Sequence, residues 1–190
     1  MAGDTRAAYT DPNTLCERHA QERPGKIFIE SPDQASRVTF GDFEALTRRF
    51  ANFLAQEGVR FGDRVSILSD NAIEALVVFW GALRAGVIVN PINVEIREKH
   101  VSQILYDVAP KLVFWSSELS GAVRALGTGS AAWVPFGAWT APSPPADDLF
   151  ARLRVAPAEY FTGGPGPRRR ATPPARGALT RRAAARWPSA

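Results

Sequence analysis

Gly62–Trp115 reads GDRVSILSDNAIEALVVFWGALRAGVIVNPINVEIREKHVSQILYDVAPKLVFW, and this stretch decides the fold. Arg64–Leu68, Val87–Asn90 and Lys111–Trp115 are short runs rich in β-branched residues, which favour a pleated, half-buried backbone. Between them lie Ala72–Ala85 and Glu95–Val108, two segments of helical length. Strands that alternate with helices predict βαβ crossovers and a parallel sheet, so the fold class is α/β.

Upstream, Asn13–Gln21 is a first helix, capped by Asp11 or Asn13 and followed by Pro24. Lys26–Glu30 and Arg37–Phe40 are two strands around the turn-rich SPDQ, which suggests a hairpin. Thr39 with Asp42 three residues on resembles a capping box. The helix it starts carries Phe43, Leu46, Phe50, Phe53 and Leu54 on one stripe, and Gly58 is its stop. Ser69-Asp70-Asn71 offers caps for Ala72–Ala85. Ile73, Leu76, Val77, Phe79, Trp80 and Leu83 cover most of that helix, which predicts burial on more than one side. Gly86 ends it. Pro91 cannot donate to a ladder, so Asn90-Pro91 is expected to close the next strand. On Glu95–Val108, the residues Val101, Ile104, Leu105 and Val108 face inward, and Pro110 follows.

Downstream the pattern thins. Glu118–Leu126 reads as a short helix, Ala132–Phe136 as a strand and Ala141–Ala146 as a proline-rich link. Asp147–Arg154 fits one or two helical turns, and Ala158–Thr162 starts another strand. From Gly163 the chain is mainly Gly, Pro, Ala and Arg, without apolar periodicity. Such a segment cannot offset its ordering entropy and is expected to be disordered. The division is therefore 1–162, folded, and 163–190, a basic tail.

Composition narrows the function classes. Cys16 is the only cysteine, so no intrachain disulfide forms, and with only His19 and His100 a Cys/His metal cluster is excluded. No metal site is expected. The first residues, MAGDTRAAYTDPNT, lack the apolar core of a signal peptide, which points to a cytoplasmic protein. Ala72–Val89 is the most apolar region, but Glu74 and Arg84 lie inside it. Charges near a bilayer centre cost at least ~2.5 kcal/mol each, so no membrane span is expected. The formal charge of +4 is local: seven of the 23 Lys/Arg fall after Thr162 with no acidic residue, leaving 16 against 19 Asp/Glu before it.

Several stretches together resemble the N-terminal region of the AMP-dependent acyl-CoA synthetases, members of the acyl-adenylate-forming enzymes. Arg37-Val38-Thr39-Phe40 leads into a helix ending at Gly58-Val59. Gly62-Asp63-Arg64-Val65 is followed by Asn71. Phe79-Trp80-Gly81-Ala82-Leu83-Arg84-Ala85-Gly86 is similar to the family's "GALRAG" helix end, and Asn90-Pro91-Ile92-Asn93 to its "PLN" turn. Ile104-Leu105-Tyr106-Asp107 and Lys111-Leu112-Val113 continue in step. The likeness covers roughly residues 12–118 and implies an incomplete N-terminal subdomain: a mostly parallel sheet flanked by helices. Most of these residues are scaffold. Gly81 and Gly86 serve close packing and a helix stop, Asn93 serves a turn, His100 lies on a polar face, and Phe79 and Trp80 are core aromatics.

The resemblance also implies where ATP phosphates would bind. The family's loop follows a strand, is rich in Gly, Ser and Thr, and ends in Pro-Lys-Gly. Small residues let backbone N–H groups turn toward phosphate, and the lysine adds charge. Here Ala158-Glu159-Tyr160-Phe161 stands for the strand, and Thr162, Gly163 and Gly164 for the start of the loop. The continuation, Pro165-Gly166-Pro167-Arg168-Arg169-Arg170, lacks the threonine pair and the lysine, and two prolines remove amide donors. An abrupt shift to Ala/Arg/Pro/Gly inside a motif is what a frameshift in a GC-rich gene produces.

The family's cofactors are ATP, Mg2+ and coenzyme A, and its substrate is a carboxylic acid. No catalytic residue is identifiable in this chain, and none of these cofactors is expected to bind the fragment. Two other readings stand beside this one: a non-catalytic interaction module, and nucleic-acid binding by the arginine tail. No aromatic platform or recognition motif accompanies the arginines, so no specific nucleic-acid partner is expected. The acid substrate and the oligomeric state are left open.

Overall fold

The computed structural model describes residues 11–70, 72–126 and 131–156. Helix α1 (Pro12–Glu22) precedes an antiparallel hairpin, β1 (Ile27–Ser31) and β2 (Ser36–Thr39). Then come α2 (Phe40–Gln56), β3 (Arg64–Leu68), α3 (Ile73–Arg84), β4 (Ile88–Ile92), α4 (Glu98–Val108) and β5 (Leu112–Ser116). A 3-10 turn (Ser117–Leu119) leads into α5 (Ser120–Ala125), β6 (Ala132–Phe136) and α6 (Leu149–Val155). The four later strands form one parallel sheet in the order β4-β3-β5-β6, as the alternation of strands and helices predicts.

Strand alternation divides the core in two. Val65, Ile67, Leu112, Phe114, Val134 and Phe136 point to one face, where α2, α3 and α6 cover them. Leu68, Ile92 and Val113 point to the other, with Val101 of α4 against them. The chain steps from β3 to β4 in one direction and from β4 to β5 in the other. Crossovers of one hand then place α3 and α4 on opposite faces.

Local chemistry explains the helix ends. Asp11 caps α1, its carboxylate accepting from the backbone N–H of Asn13 and Thr14. The Thr14 hydroxyl, bonded to it at 2.6 Å, is the main reason that carboxyl titrates below its ordinary value. The cap's contribution is thus present above the ordinary carboxylate range and is lost as the pH falls through the depressed value. Thr39 caps α2 by accepting from Asp42 N–H, and its own hydroxyl donates to the Asp42 carboxylate. Gly58 and Gly86 stop α2 and α3 at φ +73° and +70°, a region that L side chains rarely adopt.

Three expectations are corrected. Pro91 does not close β4, which runs on to Ile92. Ile88 N–H donates inward to Asp63 O, so alternation turns the N–H positions of Val89 and Pro91 outward on an edge strand. A proline there costs the ladder nothing. Pro135 holds the equivalent outward place on the opposite edge, because Ala132 N–H donates inward to Lys111 O. Both edges are thereby poor templates for another strand. Next, of the apolar residues expected to cover α3, Leu76 and Leu83 are exposed, while Ile73, Val77, Val78 and Ala82 face inward and Gly81 packs on α2, so the helix is buried on more than one side as expected. Lastly, Ser69 and Asp70 do not cap α3. Its N-cap position is Ala72, without a side-chain bond, and the donor comes from elsewhere, as described below.

Gly81 lets α2 and α3 approach closely. A Cβ there would lie 2.6 Å from Phe50 Cδ1 and 2.9 Å from Thr47 O. The second clash is with backbone, so the helices would have to part. Gly81→Ala is expected to destabilise the fold by about 1–2 kcal/mol in chemical denaturation, overpacking outweighing the gain in helix propensity.

Candidate functional site

A concavity with a volume of about 520 Å³ lies at the carboxyl ends of β3 and β4. Ile67 of β3 and Ser69 just after it supply its floor, and Pro91 and Ile92 its edge from β4. Ile73, Leu76 and Phe79 of α3 form one wall, and Ile29–Asp33 of the hairpin another. The connections after β3 and β4 leave toward opposite faces. Open α/β sheets form their ligand crevices at such a switch point. The lining is mainly apolar, Glu30, Asp33 and Asp70 add carboxylates, and the Ser69 hydroxyl is sequestered without a partner among the described residues.

Two side chains hold the cleft together. Gln34, at the hairpin turn, donates from Nε2 to Glu74 Oε2 at 2.8 Å and accepts from Ile73 N–H through Oε1 at 3.0 Å. It is the missing cap of α3, delivered across 39 positions of sequence. Glu74, 3% exposed, also accepts from Trp139 N–H at 2.9 Å. Hairpin, helix and the β6–α6 connection therefore meet on one carboxylate. Gln34→Ala is expected to cost about 1–3 kcal/mol, the penalty of a buried charged acceptor losing a donor. Urea titration measures it, and faster amide exchange over Ile29–Asp33 should accompany the loss.

The opposite, amino end of the sheet is tied by Asp63. Its carboxylate meets Lys111 Nζ at 2.7 Å and accepts from Arg60 N–H at 2.6 Å. The hydrogen bond from Lys111 is the main cause of its titrating below the ordinary range. Cys16 is half-buried, and burial pushes its thiol up. Among the described residues no group of three or more His, Cys, Asp or Glu could hold a metal ion. No helix among them is long and apolar enough to cross a membrane.

Thr162, Gly163 and Gly164 lie outside the described residues, as do the strand expected at Ala158–Thr162 and the basic tail 163–190. Asn93 is a turn residue, its Oδ1 accepting from Glu95 N–H. His100 is exposed. Sequence reasoning missed the cleft's organising pair, Gln34 and Glu74. A partial signal existed, since Glu74 is a charge inside the most apolar stretch. Nothing in the sequence marks Gln34.

A parallel α/β scaffold with a crevice at its switch point is an architecture that many nucleotide- and substrate-binding domains share, and similarity to known proteins says which family this chain falls in. The profile of the AMP-binding enzymes matches residues 16–140, and the chain belongs to that family. Long-chain-fatty-acid–CoA ligase FadD13 of Mycobacterium tuberculosis is 31% identical over 134 residues, 70% of this chain and 26% of that enzyme. 3-Hydroxybenzoate–CoA ligase of Aromatoleum is 33% identical over 86 residues, 45% of this chain and 16% of that one. The inhibitor-bound N-terminal domain of FACL13 from Mycobacterium tuberculosis superposes with a TM-score of 0.66 at 28% identity, over 77% of this chain and 36% of the other. Anthranilate–CoA ligase AuaEII, solved with anthranoyl-AMP, shares the fold at a TM-score of 0.69 and 22% identity, over 84% and 31%. The chain thus spans about a quarter of FadD13 and less of the hydroxybenzoate enzyme.

Proposed function

We propose that this chain is the N-terminal scaffold of an AMP-forming acid–CoA ligase and that it does not catalyse the reaction alone. The family match across residues 16–140 carries the first part. The reaction would join a carboxylate to ATP, releasing pyrophosphate and forming an acyl-adenylate, whose acyl group then passes to the thiol of coenzyme A. Relatives named for long-chain fatty acids and for hydroxybenzoates support an aliphatic or aromatic carboxylic acid as the substrate class, with fatty-acid metabolism one setting.

Catalysis of this kind rests on positioned donors and cations around the phosphates, with Mg2+ among them. Thr162, Gly163 and Gly164 would begin that cradle. Pro165 and Pro167 then withhold amide N–H groups, and no lysine lies anywhere in residues 157–190. ATP, Mg2+ and coenzyme A therefore belong to the family's reaction rather than to a site in this chain. Purified protein given ATP, Mg2+, coenzyme A and a panel of fatty and hydroxybenzoic acids is expected to release no more pyrophosphate than buffer. Acid-dependent release would overturn the proposal. On the same reading residues 163–190 are out of frame. Sequencing the gene across codons 160–170 should then show, in another frame, a Thr/Ser-rich continuation ending in Pro-Lys-Gly. Its absence from both frames would refute the frameshift.

A second reading, a non-catalytic interaction module, draws on the open cleft and on exposed Leu76 and Leu83. A single defined oligomer in size-exclusion chromatography would favour it, since exposed apolar surface otherwise gives polydisperse material.

A further inference from the structure

Helix α1 is fastened unlike the rest of the fold. None of its residues is buried. Leu15 is exposed, and Cys16 packs against the main core only in part. Its charged tie to the body is Glu17, whose Oε1 lies 3.2 Å from Arg84 Nη1 and 3.7 Å from Arg48 Nη2. Both arginines also bond to Glu44 on α2. Each therefore keeps a carboxylate partner without Glu17, and α1 is the peripheral member of the network. The far end of α1 is anchored differently. Gly41 N–H donates to Pro24 O and Phe40 N–H to Lys26 O, while the ring of His19 leans on Phe40 at 5.3 Å. Between helix and anchor stands the C-cap residue Arg23, whose backbone has left the helical region at φ −149°, ψ 58°.

We propose that α1 is an ionic clasp: it closes over the α2–α3 joint through Glu17 and opens as a unit about Arg23, uncovering the thiol of Cys16. Glu17 is about one-third exposed, so solvent and salt reach its ion pairs. Apolar burial, which salt does not screen, contributes little to the docking. Opening leaves α2, α3 and the sheet intact, because Arg84 and Arg48 keep Glu44. The clasp thereby sets how often the chain's only cysteine meets solutes, through ionic strength rather than through unfolding.

That cysteine is its own reporter. The full chain is labelled with N-ethylmaleimide, and the rate is divided by that of a cysteine peptide in the same buffer. Raising salt from about 0.05 M to about 0.5 M is expected to speed labelling of Cys16 three- to fivefold. Glu17→Gln should raise the low-salt rate by a similar factor and remove most of the salt dependence. Hydrogen exchange on the same samples should show α1 amides losing protection while α2 and α3 keep theirs. A labelling rate indifferent to both salt and Glu17→Gln would overturn the clasp. So would a rate that rises only together with exchange in α2 and α3, since global unfolding would then expose the thiol. The salt series on the unaltered protein decides the matter even if the variant folds poorly.

Discussion

Glu44→Ala is expected to destabilise the fold by about 3–5 kcal/mol, the range for a buried ion pair that loses one member. Glu44 is 7% exposed and stands between two arginines, bonding Arg84 through Oε2 and Arg48 through Oε1 at 2.6 Å. Arg84 is itself 8% exposed. Without Glu44 the buried Arg84 is left to Glu17, which is more exposed and lies on the loosely held α1. Alanine therefore removes the pair's attraction and strands a charge in a place where water cannot solvate it fully. Glu17→Gln removes a peripheral, solvated partner and should cost no more than about 1 kcal/mol. A double variant, Glu44→Leu with Arg84→Met, should recover much of the loss, because apolar residues of similar volume often replace a buried pair without penalty. Urea midpoints of the three variants test this ordering. A Glu44→Ala variant no less stable than Glu17→Gln would mean that the network is solvated.

The same charges show how far the sequence could be read. The sheet, its parallel sense and the boundaries of β3, α2 and β6 follow from local pattern: β-branched runs, an amphipathic stripe from Phe43 to Leu54, and glycines at Gly58 and Gly86. These are short-range signals, and the fold obeys them. What the sequence hides is long-range polar chemistry. Glu44, Glu74 and Arg84 interrupt apolar surfaces, which announces that each has a partner but not which one. Gln34 reaches Ile73 and Glu74 across a hairpin and a whole βα unit, and no spacing rule relates them. Pro91 misleads for a related reason. Its effect depends on which way its missing N–H would face, and only the register of β4 on β3 decides that. The cleft is illegible too, since its walls come from three segments that periodicity treats separately. Thr162, Gly163 and Gly164 rest wholly on a resemblance to the family's loop pattern and lie outside the described residues.

Phe114→Ala should cost about 3–5 kcal/mol, comparable to the loss of Glu44 but through a different cause. Phe114 is fully buried in β5, between β3 and β6. Its ring meets Phe50 edge-on at 5.0 Å and Phe53 at 6.3 Å, so it is where helix α2 rests on the sheet. Removing it takes away the transfer free energy of the ring and leaves a void beneath α2. Collapse into that void is resisted from both sides. Phe50 is already wedged against Gly81, where no room remains for even a methyl group, and the neighbouring strands are fixed by their ladders. The cavity term should therefore be retained, placing the effect toward the upper end of the range. Phe114→Leu, which fills most of the space, should cost clearly less. Equilibrium denaturation distinguishes the two. Equal, small losses for both would show that α2 moves down to fill the gap, and then Phe114 would not be the point on which the helix and sheet are registered.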